Sequence, residues 1–128
     1  MYQSLELFQT AGQAARHAGA QQAVVTRNIA NADTPGYRAT QPVSFGEVYR
    51  ADPPPRLRQS RPGHLAPDPY QQSTPRNLAS QAEPAPNGNN VSLEEQMLSS
   101  VAVAREHNRA LAVYRHSMTI LRTALGRG

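Results

Sequence analysis

Cysteine, lysine and tryptophan are absent from this sequence, and two phenylalanines and five tyrosines supply all of its aromatic rings. Without cysteine there is neither a disulfide framework nor a thiolate metal site, although that alone does not fix the compartment. With 38% hydrophobic residues over 128 positions, there is little bulk for a globular core. No apolar run approaches the ~20 residues that cross a bilayer. Ahead of Arg16 there is no cation and no contiguous apolar stretch, which excludes a cleavable Sec signal. The chain is therefore expected to stay cytoplasmic or to be exported by another route.

What is present in excess is arginine, which accounts for all thirteen cations and a formal charge of +4. Such a balance raises a nucleic-acid reading, but no run of adjacent basic residues marks a groove-binding face. Arg50, Arg56, Arg58, Arg61 and Arg76 fall in or beside a flexible-looking middle stretch, where only Tyr49 and Tyr70 offer a ring for base stacking. Solvated charge is the better account.

Catalytic chemistry finds no constellation. His17, His64, His107 and His116 include no i,i+4 pair and no HExxH, so no metal site is expected. Ser99 and Ser100 lie within a helical pattern and lack a nucleophile elbow. Glu94 and Glu95 sit where a helix begins and negative charge complements the helix dipole. No phosphate-cradling glycine loop occurs, and neither a catalytic residue nor a cofactor is predicted. Asn90-Val91-Ser92 matches a glycosylation acceptor, but Ser92 already has a capping role.

Two segments carry helical rhythm. From Met1 to Ala32, residues Phe8, Ala11, Ala15, Ala18, Gln22, Val25 and Ile29 recur at alternating steps of three and four. Alanines on that seam let a partner helix approach closely. The second segment opens at Ser92, which with Glu95 forms a capping box. From there Leu93, Met97, Ser100, Ala104, His107, Leu111, Tyr114, Met118, Leu121 and Leu125 keep a coiled-coil spacing, until Gly126 ends the helix.

Between them the rhythm stops for nameable reasons. Pro35 disfavours helical geometry at Thr34, and Gly36 supplies a positive φ, so a type II turn over Thr34 to Tyr37 is predicted. Asn31 and Asp33 are placed to satisfy backbone groups freed at the helix end. Residues 43 to 49, VSFGEVY, are read as a short strand. Residues 51 to 90 hold nine of the eleven prolines and show no period, which predicts an extended, largely irregular connector.

The expected fold class is all-α: two long terminal helices packed as a coiled-coil-like antiparallel pair around that middle segment. The division is 1–32 for the first helix, 33–50 for the turn and extended segment, 51–90 for the connector and 91–128 for the second helix. A seam so rich in alanine buries little apolar area, so the isolated chain is expected to be largely unfolded or molten and to order on assembly.

The stretch NIANADTPGY, with Asn28, Ile29, Ala30, Asn31, Thr34, Pro35, Gly36 and Tyr37, resembles the N-terminal signature of bacterial flagellar axial proteins of the rod and hook family. GNNVSLEEQML with its long helix ending LRTALGRG is similar to the proximal rod proteins of the B type, as is SRPGHLAP in the middle. The resemblance implies a structural subunit of the basal-body rod that crosses the periplasm and transmits torque. It implies assembly through the helices, with Phe8, Ala11, Ala15, Ala18, Val25, Ile29, Leu93, Met97, Ala104, Leu111, Tyr114, Met118, Leu121 and Leu125 at packing and subunit contacts. The implied partners are further copies, the C-type proximal rod protein and other rod subunits, the rod-to-membrane-ring junction protein and the flagellar type III export gate. Leu5, Leu7 and Phe8 are the residues that resemblance offers to the gate. Two other readings stand beside it: a small basic helical nucleic-acid-binding protein, and a flagellar export adaptor that would not need the NIANADTPGY corner.

Overall fold

The computed structural model of the chain describes residues 2–50, 61 and 77–126. Two long helices dominate: α1, Tyr2–Ala30, and α3, Leu93–Ala124. Between them lie strand β1, Thr40–Pro42, the short helix α2, Phe45–Arg50, and strand β2, Asn77–Ala79. The strands pair antiparallel, with Thr40 opposite Ala79 and Pro42 opposite Asn77.

The long helices run antiparallel along each other. Phe8 stacks on Tyr114 with ring centroids 4.4 Å apart, His107 Nδ1 lies 3.1 Å from the Ala15 carbonyl, and Gln22 Nε2 donates to Ser100 Oγ at 3.0 Å. Asn28 Nδ2 then donates to Gln96 Oε1 at 2.9 Å. From Phe8 to Gln22 each seven-residue step up α1 is matched by a seven-residue step down α3.

The core between them is unusual in composition. Among the described residues seven apolar and seven polar side chains are buried, and the apolar ones are only alanine and valine. A strip of small residues lets two backbones approach closely, and larger side chains then flank the line of contact. On α1 that strip is Ala11, Ala18 and Val25, with Phe8, Ala15, Gln22 and Ile29 half-buried beside it.

On α3 the buried positions are Gln96, Val103, Ala110 and Ser117, one per heptad. Ser100, His107, Tyr114 and Leu121 are half-buried between them, as the expected spacing places them. The remaining row differs from expectation by one residue. Leu93, Met97, Ala104 and Leu125 are exposed, and Leu111 and Met118 only half-buried. Ranking positions by hydrophobicity favours the bulky row. The buried row is instead the one a residue earlier, where Ala110 and Ser117 stand in place of Leu111 and Met118.

The middle segment departs from expectation twice. Residues 43 to 49 do not form a strand, because Ser44 caps a helical turn. Its N–H and hydroxyl both donate to Glu47 Oε2, at 3.1 and 2.7 Å, and its Oγ accepts from the Glu47 N–H at 3.4 Å. Ser44 and Glu47 thus form a complete capping box, and α2 follows from it. Second, residues 77–79 pair with β1, so the end of the connector is ordered by a partner strand. For residues 51–60 and 62–76 the predicted irregular conformation lies outside the described residues.

Candidate functional site

The chain leaves α1 at a tightened last turn. The Asn31 N–H is shared between the carbonyls of Arg27 and Asn28, at 3.2 and 3.1 Å, and the Ala32 N–H reaches Ile29 at 3.1 Å. Asn31 Nδ2 donates to the Arg27 carbonyl at 2.8 Å, and Asp33 is exposed. Thr34 to Tyr37 then closes with the Tyr37 N–H on the Thr34 carbonyl at 3.2 Å. Gly36 sits at φ 72°, a left-handed conformation at the third position of that turn.

This corner is clasped from the far end of the sequence by Asn87, Gly88, Asn89 and Asn90. Asn89 Nδ2 lies 2.9, 2.8 and 2.9 Å from the carbonyls of Asn31, Ala32 and Thr34, in the corner where α1 stops. The Gly36 N–H donates to the Asn87 carbonyl at 2.9 Å. Gly88, at φ 80°, lies against Gly36 so closely that a Cβ there would stand 3.3 Å from the Gly36 Cα. Asn90 Oδ1 accepts from the Ala39 N–H at 2.6 Å, and its N–H donates to the Tyr37 carbonyl at 3.3 Å. Both asparagines are buried.

Asn28 organises the helix side. Fully buried, it fills its whole hydrogen-bonding capacity: Nδ2 donates to the Thr40 carbonyl and to Gln96 Oε1, while Oδ1 accepts from the Tyr37 hydroxyl at 3.2 Å and the Thr40 N–H at 3.3 Å. One side chain therefore joins α1, the turn, β1 and α3. Gln21 extends the same row, its Nε2 donating to the Val43 carbonyl at 3.0 Å.

His17 completes that row and differs from it. Its ring is 1% exposed, packs against Phe45 at 5.7 Å between centroids, and has no hydrogen-bond partner at either nitrogen. Burial pushes its pKa below 6.5, and the nearby Glu106 carboxylate offsets part of that shift. Glu47 is also shifted downward, by the Ser44 hydroxyl and then the Ser44 N–H.

Of the motif residues, Asn28, Asn31, Thr34, Gly36 and Tyr37 take part in this network; Ile29 is half-buried, and Ala30 and Pro35 are exposed. At α3 the Ser92 hydroxyl accepts from the Glu95 N–H at 3.4 Å. Sequence reasoning missed Asn87, Asn89, Asn90, Gln96, Gln21 and His17. The available signal was the run of asparagines ahead of Ser92, of which Asn89 Oδ1 has a local partner in the Val91 N–H at 2.7 Å while its Nδ2 is left for a distant one. Among the described residues, no three His, Asp or Glu side chains come together as a metal cluster, and no helix is long and apolar enough to cross a membrane. The arrangement is one of main-chain carbonyls and amides held by amide side chains, which fixes an angle.

A family model described as flagella basal body rod protein matches residues 8–38, the stretch that contains the seam of α1 and the corner. The flagellar basal body rod protein FlgB of Agrobacterium fabrum is 29% identical over 129 residues, covering 93% of this chain and 93% of its own length.

Proposed function

We propose that this chain is a structural subunit of the flagellar basal-body rod, of the B type, a reading supported by its similarity to the rod family's model and to FlgB. α1 and α3 act as a stiff antiparallel strut, and the asparagine clasp sets the angle at which the chain leaves it. The subunit joins its neighbours through the outward faces of both helices and passes torque along the rod. Neither the nucleic-acid reading nor the export-adaptor reading has support beside this one.

The observation that carries the reading is the position of the clasp. Residues 87–90 bind the carbonyls where the family signature ends, so the two parts of the chain that resemble rod proteins most strongly form one rigid unit. Rigidity is what a torque-bearing part requires. The polar, alanine-rich core supports the accompanying expectation that the subunit is poorly ordered before assembly, which suits passage through the flagellar type III export gate. Its proposed neighbours are other copies, the C-type proximal rod protein, other rod subunits and the protein joining the rod to the membrane ring.

Deleting the gene in a flagellated host and restoring it with Leu111→Asp or Leu121→Asp tests this. The wild-type gene restores swimming and the variants do not, although both are expressed. Normal swimming by both would remove the helix seam from the account.

A further inference from the structure

The loop that clasps the corner contains a reactive dipeptide. Asn87 is exposed and is followed by Gly88, whereas every other asparagine of the chain precedes a larger residue. A glycine leaves its main-chain nitrogen unhindered by a side chain, and attack of that nitrogen on the preceding asparagine side chain closes a five-membered ring. The clasp occupies the groups this attack needs. The Gly88 N–H donates to the Ala85 carbonyl at 2.8 Å, so the nitrogen is not free to lose its proton. Asn87 Oδ1 accepts from the Asn89 N–H at 3.0 Å, which holds the side chain toward Asn89. The Asn87 carbonyl accepts from the Gly36 N–H at 2.9 Å, which fixes the peptide plane between the two reacting groups.

We propose that Asn87 is a site of spontaneous deamidation and isomerisation that the clasp protects, so that the chain ages there only while unclasped. In the open loop the deprotonated Gly88 nitrogen attacks Asn87 Cγ. The N–Cγ bond forms, the Cγ–Nδ2 bond breaks and the amide nitrogen leaves as ammonia, giving a succinimide. Water then opens the ring. Breaking the N–Cγ bond yields aspartate, and breaking the bond from the Gly88 nitrogen to the Asn87 main-chain carbonyl carbon yields isoaspartate, with one more methylene in the main chain.

The two products differ in what they do to the clasp. Aspartate keeps an Oδ1 for the Asn89 N–H and a main-chain carbonyl for the Gly36 N–H. Isoaspartate lengthens the chain just ahead of Gly88, where a Cβ would already stand 3.3 Å from the Gly36 Cα. The bond from Gly36 and the seat of Asn89 on Asn31, Ala32 and Thr34 are then no longer met together. A chain that has waited long enough to isomerise is therefore excluded from the corner, and from the assembled state. The inference rests on the rod reading only for what that assembled state is.

Basal bodies from cells that build flagella from this chain are held at mildly alkaline pH, either intact or dissolved in urea. Aspartate and isoaspartate at Asn87 are then measured by fragmentation mass spectrometry, with Asn108, exposed on α3 and followed by arginine, as the internal standard. In urea Asn87 should convert many-fold faster than Asn108, and Gly88→Ala in purified chain under the same conditions should slow it. In intact basal bodies the conversion at Asn87 should fall several-fold below its rate in urea, and freshly isolated ones should carry asparagine or aspartate there but no isoaspartate.

Conversion in urea no faster than at Asn108 overturns the site, equal rates in intact and dissolved basal bodies overturn the protection, and isoaspartate-rich fresh basal bodies overturn the exclusion. Basal bodies from which the wild-type chain is missing overturn the rod reading alone. Purified chain in a concentration series then decides the protection: conversion should slow as helix appears, and an unchanged rate overturns it.

Discussion

The side-chain amide of Asn28 pairs with the main chain of Thr40 as a neighbouring strand would. Nδ2 donates to the Thr40 carbonyl at 2.8 Å, and Oδ1 accepts from the Thr40 N–H at 3.3 Å. A residue on a helix thereby holds the first residue of β1, and the returning chain is laid along the row of α1 formed by His17, Gln21 and Asn28.

That arrangement makes Asn28→Asp a severe change at nearly constant volume. A carboxylate has no N–H to offer the Thr40 carbonyl or Gln96 Oε1, and each buried acceptor so abandoned costs about 1–3 kcal/mol. Circular dichroism across a concentration series checks this: the concentration at which helix appears should rise for Asn28→Asp. An unchanged onset would mean that these bonds do not contribute to order.

The two facing glycines should respond differently. Gly36 is at φ 72° with open space where a Cβ would go, so Gly36→Ala meets only the left-handed backbone cost of about 1–2 kcal/mol, and Gly36→Asn should be milder. At Gly88 the φ of 80° and the 3.3 Å approach to Gly36 act together. Incorporation into basal bodies should follow the order Gly36→Asn, Gly36→Ala, Gly88→Ala, with Gly88→Ala lowest. The larger Gly36→Val change should block assembly.

His17 gives the fold a pH dependence of known sign. Its folded pKa lies below 6.5, chiefly through burial, so in acid the unfolded chain takes up a proton that the folded chain refuses. Stability is complete above pH 6.5 and falls as the pH drops from there toward the folded value. Helix content between pH 7.5 and 5 should decline in the wild type and decline less in His17→Phe, which keeps an apolar ring beside Phe45.

Ala110 is buried in the strip of α3 that packs on α1, and Ala110→Leu adds methylenes to that strip at a cost of about 1–3 kcal/mol. Protease resistance of the assembled chain should fall. Ala110→Ser, which adds only a hydroxyl at the same position, should lower that resistance far less.

The legible parts of this chain were those specified by neighbours in sequence. Helical periodicity gave the two long helices, Ser92 marked the start of α3, and Pro35-Gly36 marked the corner. α2 was hidden although its capping box, Ser44 and Glu47, stands in plain sequence, because Val43, Phe45 and Val48 with Tyr49 favour an extended reading. The strands were illegible at three residues each, since their order comes from pairing Thr40 with Ala79, residues far apart in sequence. The α3 seam was read one residue late on half its positions, since hydrophobicity does not reveal how small the facing side chains are. The clasp of Asn89 on Asn31, Ala32 and Thr34 joins residues more than fifty apart, and no local rule specifies it.

The most direct measurement is cryo-electron microscopy of basal bodies isolated from cells in which this chain carries a compact density tag. The account predicts the tag on the proximal part of the rod, with α1 and α3 resolved as an antiparallel pair joined at the Asn28 and Asn89 corner. A rod complete without the tagged chain, or a chain whose two helices are separated in the assembled rod, would contradict it.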